Sequence, residues 1–187
     1  MALAMPAGVP LTYEDLRSFP DDGRRYELID GTLVVTPAPG APHQVVVAAL
    51  CRILFAARPK GTAVLPAPLD FVPNPTTVLQ PDVVVIDAKE VDAKEVDEPR
   101  LTRTPFLVVE VLSPSSRSQD LGSKLLAYAK AGVPAYWVID PEPPVELRAF
   151  HLEGTEYQAV ARVVGDEGFE AMVPFPVTIV PSALREV

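Results

Sequence analysis

Two carboxylates stand where apolar strands would not be expected to carry any. Asp82 opens the run Val83–Asp87 (VVVID) directly after Pro81, and Glu110 lies near the end of Phe106–Leu112 (FLVVEVL). A charge inside such a run is costly unless it is paired, hydrogen-bonded or bound to metal. If the two strands are antiparallel neighbours, the start of one lies beside the end of the other. Both carboxylates then meet at one edge of the sheet. Two acids that close repel unless a cation separates them, and hard oxygen ligands without histidine select Mg²⁺ or Mn²⁺. Glu27, in Tyr26-Glu27-Leu28-Ile29, is a third candidate. Lys124 is a fourth, one helical turn beyond Asp120 and one before Tyr128. Each residue alone has a plainer reading. Asp82 could form a turn after proline, Glu110 could pair with a buried arginine, and Lys124 could sit on a solvated helix face. Together they point to chemistry more than any one of them does.

Other polar residues carry weaker signals. His43 falls at the helical spacing of Val46 and Leu50 and reads as a core residue at a helix edge rather than a ligand. Ser113 and Ser115 follow a strand, but a G-x-S-x-G elbow is absent and no histidine is placed as a base. Cys51 and Trp137 read as core. Arg24, Arg25, Arg100 and Arg103 read as solvated loop arginines rather than phosphate contacts.

The elements that must position these residues follow from periodicity. Thr12 caps a short helix to Phe19, with Asp15 at capping-box spacing. Arg24–Thr36 is a hairpin around Asp30-Gly31, and 37–42 is a loop. His43–Arg58 is an amphipathic helix, with Val46, Leu50, Ile53, Leu54 and Ala57 at helical spacing. Ala63–Leu65 and Leu69–Val72 are short extended pieces bounded by prolines. The runs 82–87 and 106–112 are apolar on both faces, as expected of central strands covered on both sides. Between them DAKEV occurs twice in tandem, at 87–91 and 92–96, within a surface loop or a frayed helical turn. Ser118–Ala131 is a helix stopped by Gly132, and Ala135–Asp140 is a third buried strand. Val145–Leu152 and Tyr157–Arg162 pair around Gly154. The order gives an α/β or mixed α+β fold with a mixed sheet, in which 106–112, 118–131 and 135–140 form a crossover unit.

Composition bounds the function. The chain has 187 residues, 48% of them hydrophobic and 22% charged, which suits one domain with one packed core. A single cysteine excludes an internal disulfide, and two histidines exclude a histidine-rich metal cage. No apolar run approaches the length of a membrane span, and the first residues lack a basic n-region. The expected location is therefore cytoplasmic, with no membrane partner. The net charge of −9 argues against non-specific adhesion to nucleic acid, but not against a small basic groove. Six acids and two lysines crowd residues 87–98, so the acidity is partly local.

The pieces YELIDGTL, PDVVVID, VVEVLSPSS, the D-x-x-x-K of Asp120 and Lys124, Tyr128, and GVPAYWVID occur in the order seen in the Uma2 family. The resemblance covers roughly residues 12–155. It implies a restriction endonuclease-like fold of the PD-(D/E)xK nuclease superfamily, with an αβββαβ core. It also implies a metal-dependent endonuclease acting on DNA, with Mg²⁺ or Mn²⁺ as cofactor. Pro81-Asp82 matches the PD element and Glu110 the acidic position. The lysine two residues on is Leu112 here, and Lys124 matches the position of a migrated lysine. Glu27 resembles an acid that the superfamily supplies from its first core helix, although here it precedes a hairpin turn.

Such a site cleaves a phosphodiester with water. Its metal makes hydroxide and neutralises phosphate oxygens, and its lysine orients or deprotonates the nucleophile or offsets charge. Two classes stay open: this nuclease, or a catalytically inactive nucleic-acid-binding or assembly protein on the same scaffold. Leu112 and the negative charge favour the second; Asp82, Glu110 and Lys124 favour the first. A homodimer is expected because the hairpin presents a pairable edge.

Overall fold

The computed structural model describes residues 9–91 and 100–186. The second DAKEV copy lies outside them. The first copy ends β6, and Asp87 caps a short 3₁₀ turn over Ala88–Glu90 by accepting from the Lys89 amide.

Helix α1 (Tyr13–Leu16) carries the expected capping box between Thr12 and Asp15. Strands β1 (Arg25–Ile29) and β2 (Thr32–Thr36) form the hairpin. Asp30 and Gly31 both take positive φ, 49° and 78°, as a tight turn of this hand requires. A Cβ on Gly31 would lie 2.4 Å from Pro10 Cβ, so only glycine lets the N-terminal segment cross the turn. Helix α2 (Ala41–Ala57) starts two residues earlier than its periodicity suggests, because Pro42 fits a helix's first turn.

Strands β3 (Thr62–Pro66), β4 (Asp70–Asn74), β5 (Thr77–Leu79) and β6 (Val83–Asp87) follow, then β7 (Arg100–Leu101) and β8 (Leu107–Val111). Where one helix was expected over 118–131 there are two, α3 (Arg117–Asp120) and α4 (Ser123–Lys130). The break falls at Gly122, whose dihedrals (φ −131°, ψ −96°) are not helical. A Cβ there would lie 2.8 Å from the Ser118 carbonyl oxygen, so the turn closes only around glycine. Strands β9 (Ala135–Asp140), β10 (Glu146–Glu153) and β11 (Glu156–Val164) complete a sheet, and β12 (Phe169–Ala171) pairs with β13 (Val177–Ile179).

The main sheet runs β11-β10-β9-β8-β6-β3. Its strands pair antiparallel except β8 with β9, which are parallel and joined through α3 and α4. Read along the chain, α2, β3, β6, β8, α3–α4 and β9 give the αβββαβ order. The expected neighbours β6 and β8 are adjacent and interior.

Both faces of this sheet are covered, as its apolar strands require. Val83, Val85, Val109 and Trp137 pack with α2 and the C-terminal segment. Val84, Ile86, Val108, Tyr136 and Val138 pack with α4, β4 and the end of β5. A second sheet, β2-β1-β5-β4-β7, packs Leu28, Val72 and Val78 against α1. Its strand β5 was not legible, being three residues long among prolines. The chain leaves this sheet through Gln80-Pro81-Asp82 and enters β6, so Asp82 stands at the junction of the two sheets.

Candidate active site

Strand alternation aims the two central carboxylates. Val108 and Leu112 face the α4 side of the main sheet, and Glu110 shares their parity. On β6, Val84 and Ile86 face the same side, and Asp82 shares theirs. The antiparallel register pairs Val83 with Val109; extended by one pair, it sets Asp82 across from Glu110. On β1, Arg25 and Glu27 share a face, while Tyr26 and Leu28 turn to the α1 cluster.

Four carboxylates thus become buried: Glu27, Asp82, Glu110 and Asp120. Two permanent cations meet them. The Lys124 ammonium, its residue 2% exposed, lies 2.9 Å from Glu27 Oε1, 3.0 Å from Glu110 Oε1 and 3.4 Å from Asp120 Oδ1. Tyr128 Oη donates to Glu110 Oε1 at 2.7 Å, and the Gln80 amide donates to Glu27 Oε1 at 2.7 Å.

Asp82 has a separate set of partners. Its Oδ1 accepts from Arg25 Nη2 at 3.0 Å. Its Oδ2 accepts from the Val111 amide at 2.8 Å and from His43 Nε2 at 3.0 Å. A carboxylate only accepts, so the His43 proton sits on Nε2; the buried Nδ1 has no hydrogen-bond partner.

These contacts separate the ionisation of the acids. Burial works against charge on Asp82, but His43, Arg25 and the Val111 amide outweigh it and hold the carboxyl below its ordinary range. Burial pushes Glu110 well above its range, by more than Lys124 draws it down; Asp120, Asp82 and Glu27 push the same way. Burial likewise opposes charge on Lys124, yet Glu110, Glu27 and Asp120 override it and keep the ammonium protonated beyond the usual lysine range. Asp82 is therefore the firm anion, Lys124 the firm cation, and Glu110 the acid that most readily keeps a proton.

The structure brings Glu27, Glu110 and Lys124 together and sets Asp82 beside them with its own counterions. Three sequence readings change. Lys124 does not sit on a solvated helix face; its ammonium is buried among acids. His43 is buried at the start of α2, as its spacing indicates, but it also bonds Asp82. Arg25 is no loop arginine: it lies in β1 and pairs with Asp82. A signal existed for Arg25, two residues before Glu27 on the same strand face, and for Asp120, four before Lys124. None existed for the long-range partner of His43. The remaining readings place outside the site. Trp137 is fully buried in the core, and Cys51 is a partly buried free thiol whose pKa burial raises. Arg103 pairs with Glu90 at the surface.

The profile of the Uma2 family, described as "Putative restriction endonuclease", matches residues 12–180. The chain belongs to the Uma2 family. The match runs past residue 155 through β10–β13, so those strands are part of the family's domain. No curated protein matches significantly. Among solved structures, the crystal structure of "a putative nuclease belonging to DUF820" from Anabaena variabilis superposes with a TM-score of 0.71 at 19% identity. The alignment covers 94% of this Uma2 chain and 97% of the other. At that identity the likeness establishes the shared fold.

The donors suit a hard divalent cation in type and in charge: oxygen ligands, and four acids against two permanent cations. Neither carboxylate oxygen of Asp120 has a hydrogen-bond partner. They do not stand as a finished cage. Among the described residues no three His, Cys, Asp or Glu side chains are grouped to hold an ion, since Lys124, Arg25 and His43 hold the carboxylates.

Proposed function

We propose that this Uma2 protein is a metal-dependent endonuclease that hydrolyses DNA phosphodiester bonds, with Asp82 and Glu110 holding Mg²⁺ or Mn²⁺. The observation that carries this reading is the excess of buried carboxylate at the ends of two central strands, with one lysine locked among the acids. A divalent ion held there lowers the pKa of a bound water and offsets charge on the phosphate. Lys124, held protonated, serves as a donor and positive charge toward the phosphate rather than as a base. Glu27 and Asp120 hold Lys124 in place, and Tyr128 orients Glu110. His43 and the Val111 amide fix the Asp82 carboxylate while leaving lone-pair capacity on it.

A second reading, a non-catalytic nucleic-acid-binding or assembly protein, is favoured by Leu112. Where the motif would place lysine, that side chain is 2% exposed and packed in the core. Incubation of the purified chain with duplex DNA, single-stranded DNA and RNA in Mg²⁺ or Mn²⁺ separates the two. Duplex cleavage that EDTA stops and Glu110→Gln abolishes supports the nuclease. Binding without cleavage of any of the three supports the scaffold. The expected homodimer belongs to the same proposal, because β2 is an open edge of its sheet. Light scattering should give twice the chain mass.

A further inference from the structure

Arg25 is the most exposed charged member of the cluster. Its side chain is 16% exposed, against 2% for Asp82 and for Lys124. Among the described residues it also makes fewer ion pairs than Lys124. Lys124 lies within 3.4 Å of three carboxylates. Arg25 pairs with one, Asp82, and its other hydrogen bond goes to the neutral Gln80 carbonyl at 3.2 Å. Asp82, by contrast, keeps two more donors, His43 and the Val111 amide, both on its other oxygen. The carboxylate therefore stays aligned if Arg25 leaves it.

We propose that Arg25 is an exchangeable counterion: it neutralises Asp82 in the resting site, cedes Asp82 Oδ1 to the divalent cation, and turns its guanidinium to a phosphate of the nucleic acid. This rests on the metal-dependent nuclease reading. The chemistry is specific to arginine. The guanidinium stays charged throughout, and its planar fork matches a phosphate as well as a carboxylate. Two cations cannot share one carboxylate oxygen without repulsion, so metal and Arg25 compete. The exchange also moves positive charge toward solvent when metal binds, which gives a chain of net charge −9 a metal-dependent hold on an anionic polymer.

The test has two readouts of opposite sign, on wild type and Arg25→Gln. Calorimetric Mn²⁺ titration should show the variant binding about tenfold tighter, the worth of one lost charge-assisted competitor. Fluorescence anisotropy with a labelled duplex in Mg²⁺ should show the variant binding several-fold more weakly. Equal or weaker Mn²⁺ affinity in the variant, beside a wild type that binds, overturns the exchange and leaves the metal site standing. Tighter Mn²⁺ binding with unchanged duplex affinity overturns it as well. Absence of Mn²⁺ binding in both proteins overturns the metal reading and this proposal together. If the variant does not fold, the wild-type guanidinium resonance of Arg25, assigned with Arg25→Lys, decides. It should move on Mg²⁺ addition and again with duplex; a resonance unmoved at saturating Mg²⁺ overturns the exchange.

Discussion

At the residue scale, burial decides what Lys124 is for. A lysine facing solvent could be replaced at little cost. Here removal leaves Glu27, Glu110 and Asp120 with uncompensated charge in a closed site. Lys124→Met should therefore destabilise the fold by about 3–5 kcal/mol, the usual result of breaking a buried ion pair from one side. Denaturant unfolding followed by far-UV circular dichroism measures this; a loss under about 1 kcal/mol would contradict the burial. Under conditions where the variant is folded, DNA cleavage should fall by about 10²–10³-fold. Lys124→Arg should not restore it, because the larger planar group does not fit the space the ammonium fills among three carboxylates. Asp82, Glu110 and Lys124 were legible as a candidate cluster because a charge in an apolar run, or at helical spacing beside one, is conspicuous. His43 was not, because its partner lies 39 residues away and only tertiary packing reveals it; Arg25 could be set on the Glu27 face of its strand, but its partner, 57 residues away, could not be read.

At the scale of elements, Gly122 sets the direction of Lys124. It ends α3 and starts α4, so Asp120 and Lys124 lie on consecutive short helices and still converge on Glu110. Gly122→Ala places a Cβ 2.8 Å from a backbone oxygen, which cannot give way as a side chain can. The variant should lose about 1–3 kcal/mol. The strain falls beside the site, so cleavage should suffer more than thermal stability does. Melting curves and cleavage rates on the same preparation check this; a variant as stable and active as wild type would show that the break is not required. The hairpin, α2, β6, β8, β9 and the β10–β11 pair were readable from periodicity and turn chemistry. The α3–α4 break was not, because Leu121, Leu125 and Tyr128 keep a helical spacing across it. Nor were β5 and β12, whose three residues are too few to show a period.

At the scale of the molecule, the interior carries its own response to pH. Burial, and then the negative charge of Glu110, raise the Tyr128 and Tyr136 hydroxyls well above the ordinary value. Burial raises Tyr157 also, and Lys124 is raised by its acids. All four hold their protons more tightly folded than unfolded. Their contribution to stability is whole below the unfolded values near 10 and is lost as pH rises from there through the higher folded values. Unfolding free energy should therefore fall as pH rises above about 10, approaching about 1.4 kcal/mol per pH unit for each group. Tyr157→Phe should reduce the slope; a flat profile to pH 11 would contradict it. Among the described residues no helix is long and apolar enough to cross a membrane.

The central claim is that carboxylates at the junction of the two sheets support DNA hydrolysis. Single-turnover cleavage of an end-labelled duplex, wild type against Asp82→Asn, tests it most directly. The substitution keeps the size and one oxygen of Asp82 and removes its charge. Far-UV circular dichroism of both proteins confirms that they are folded. The account predicts cleavage by wild type in Mg²⁺ or Mn²⁺, none in EDTA, and a rate at least about 10²-fold lower in Asp82→Asn. Equal rates in the two proteins, or no cleavage by folded wild type with either metal, would contradict it.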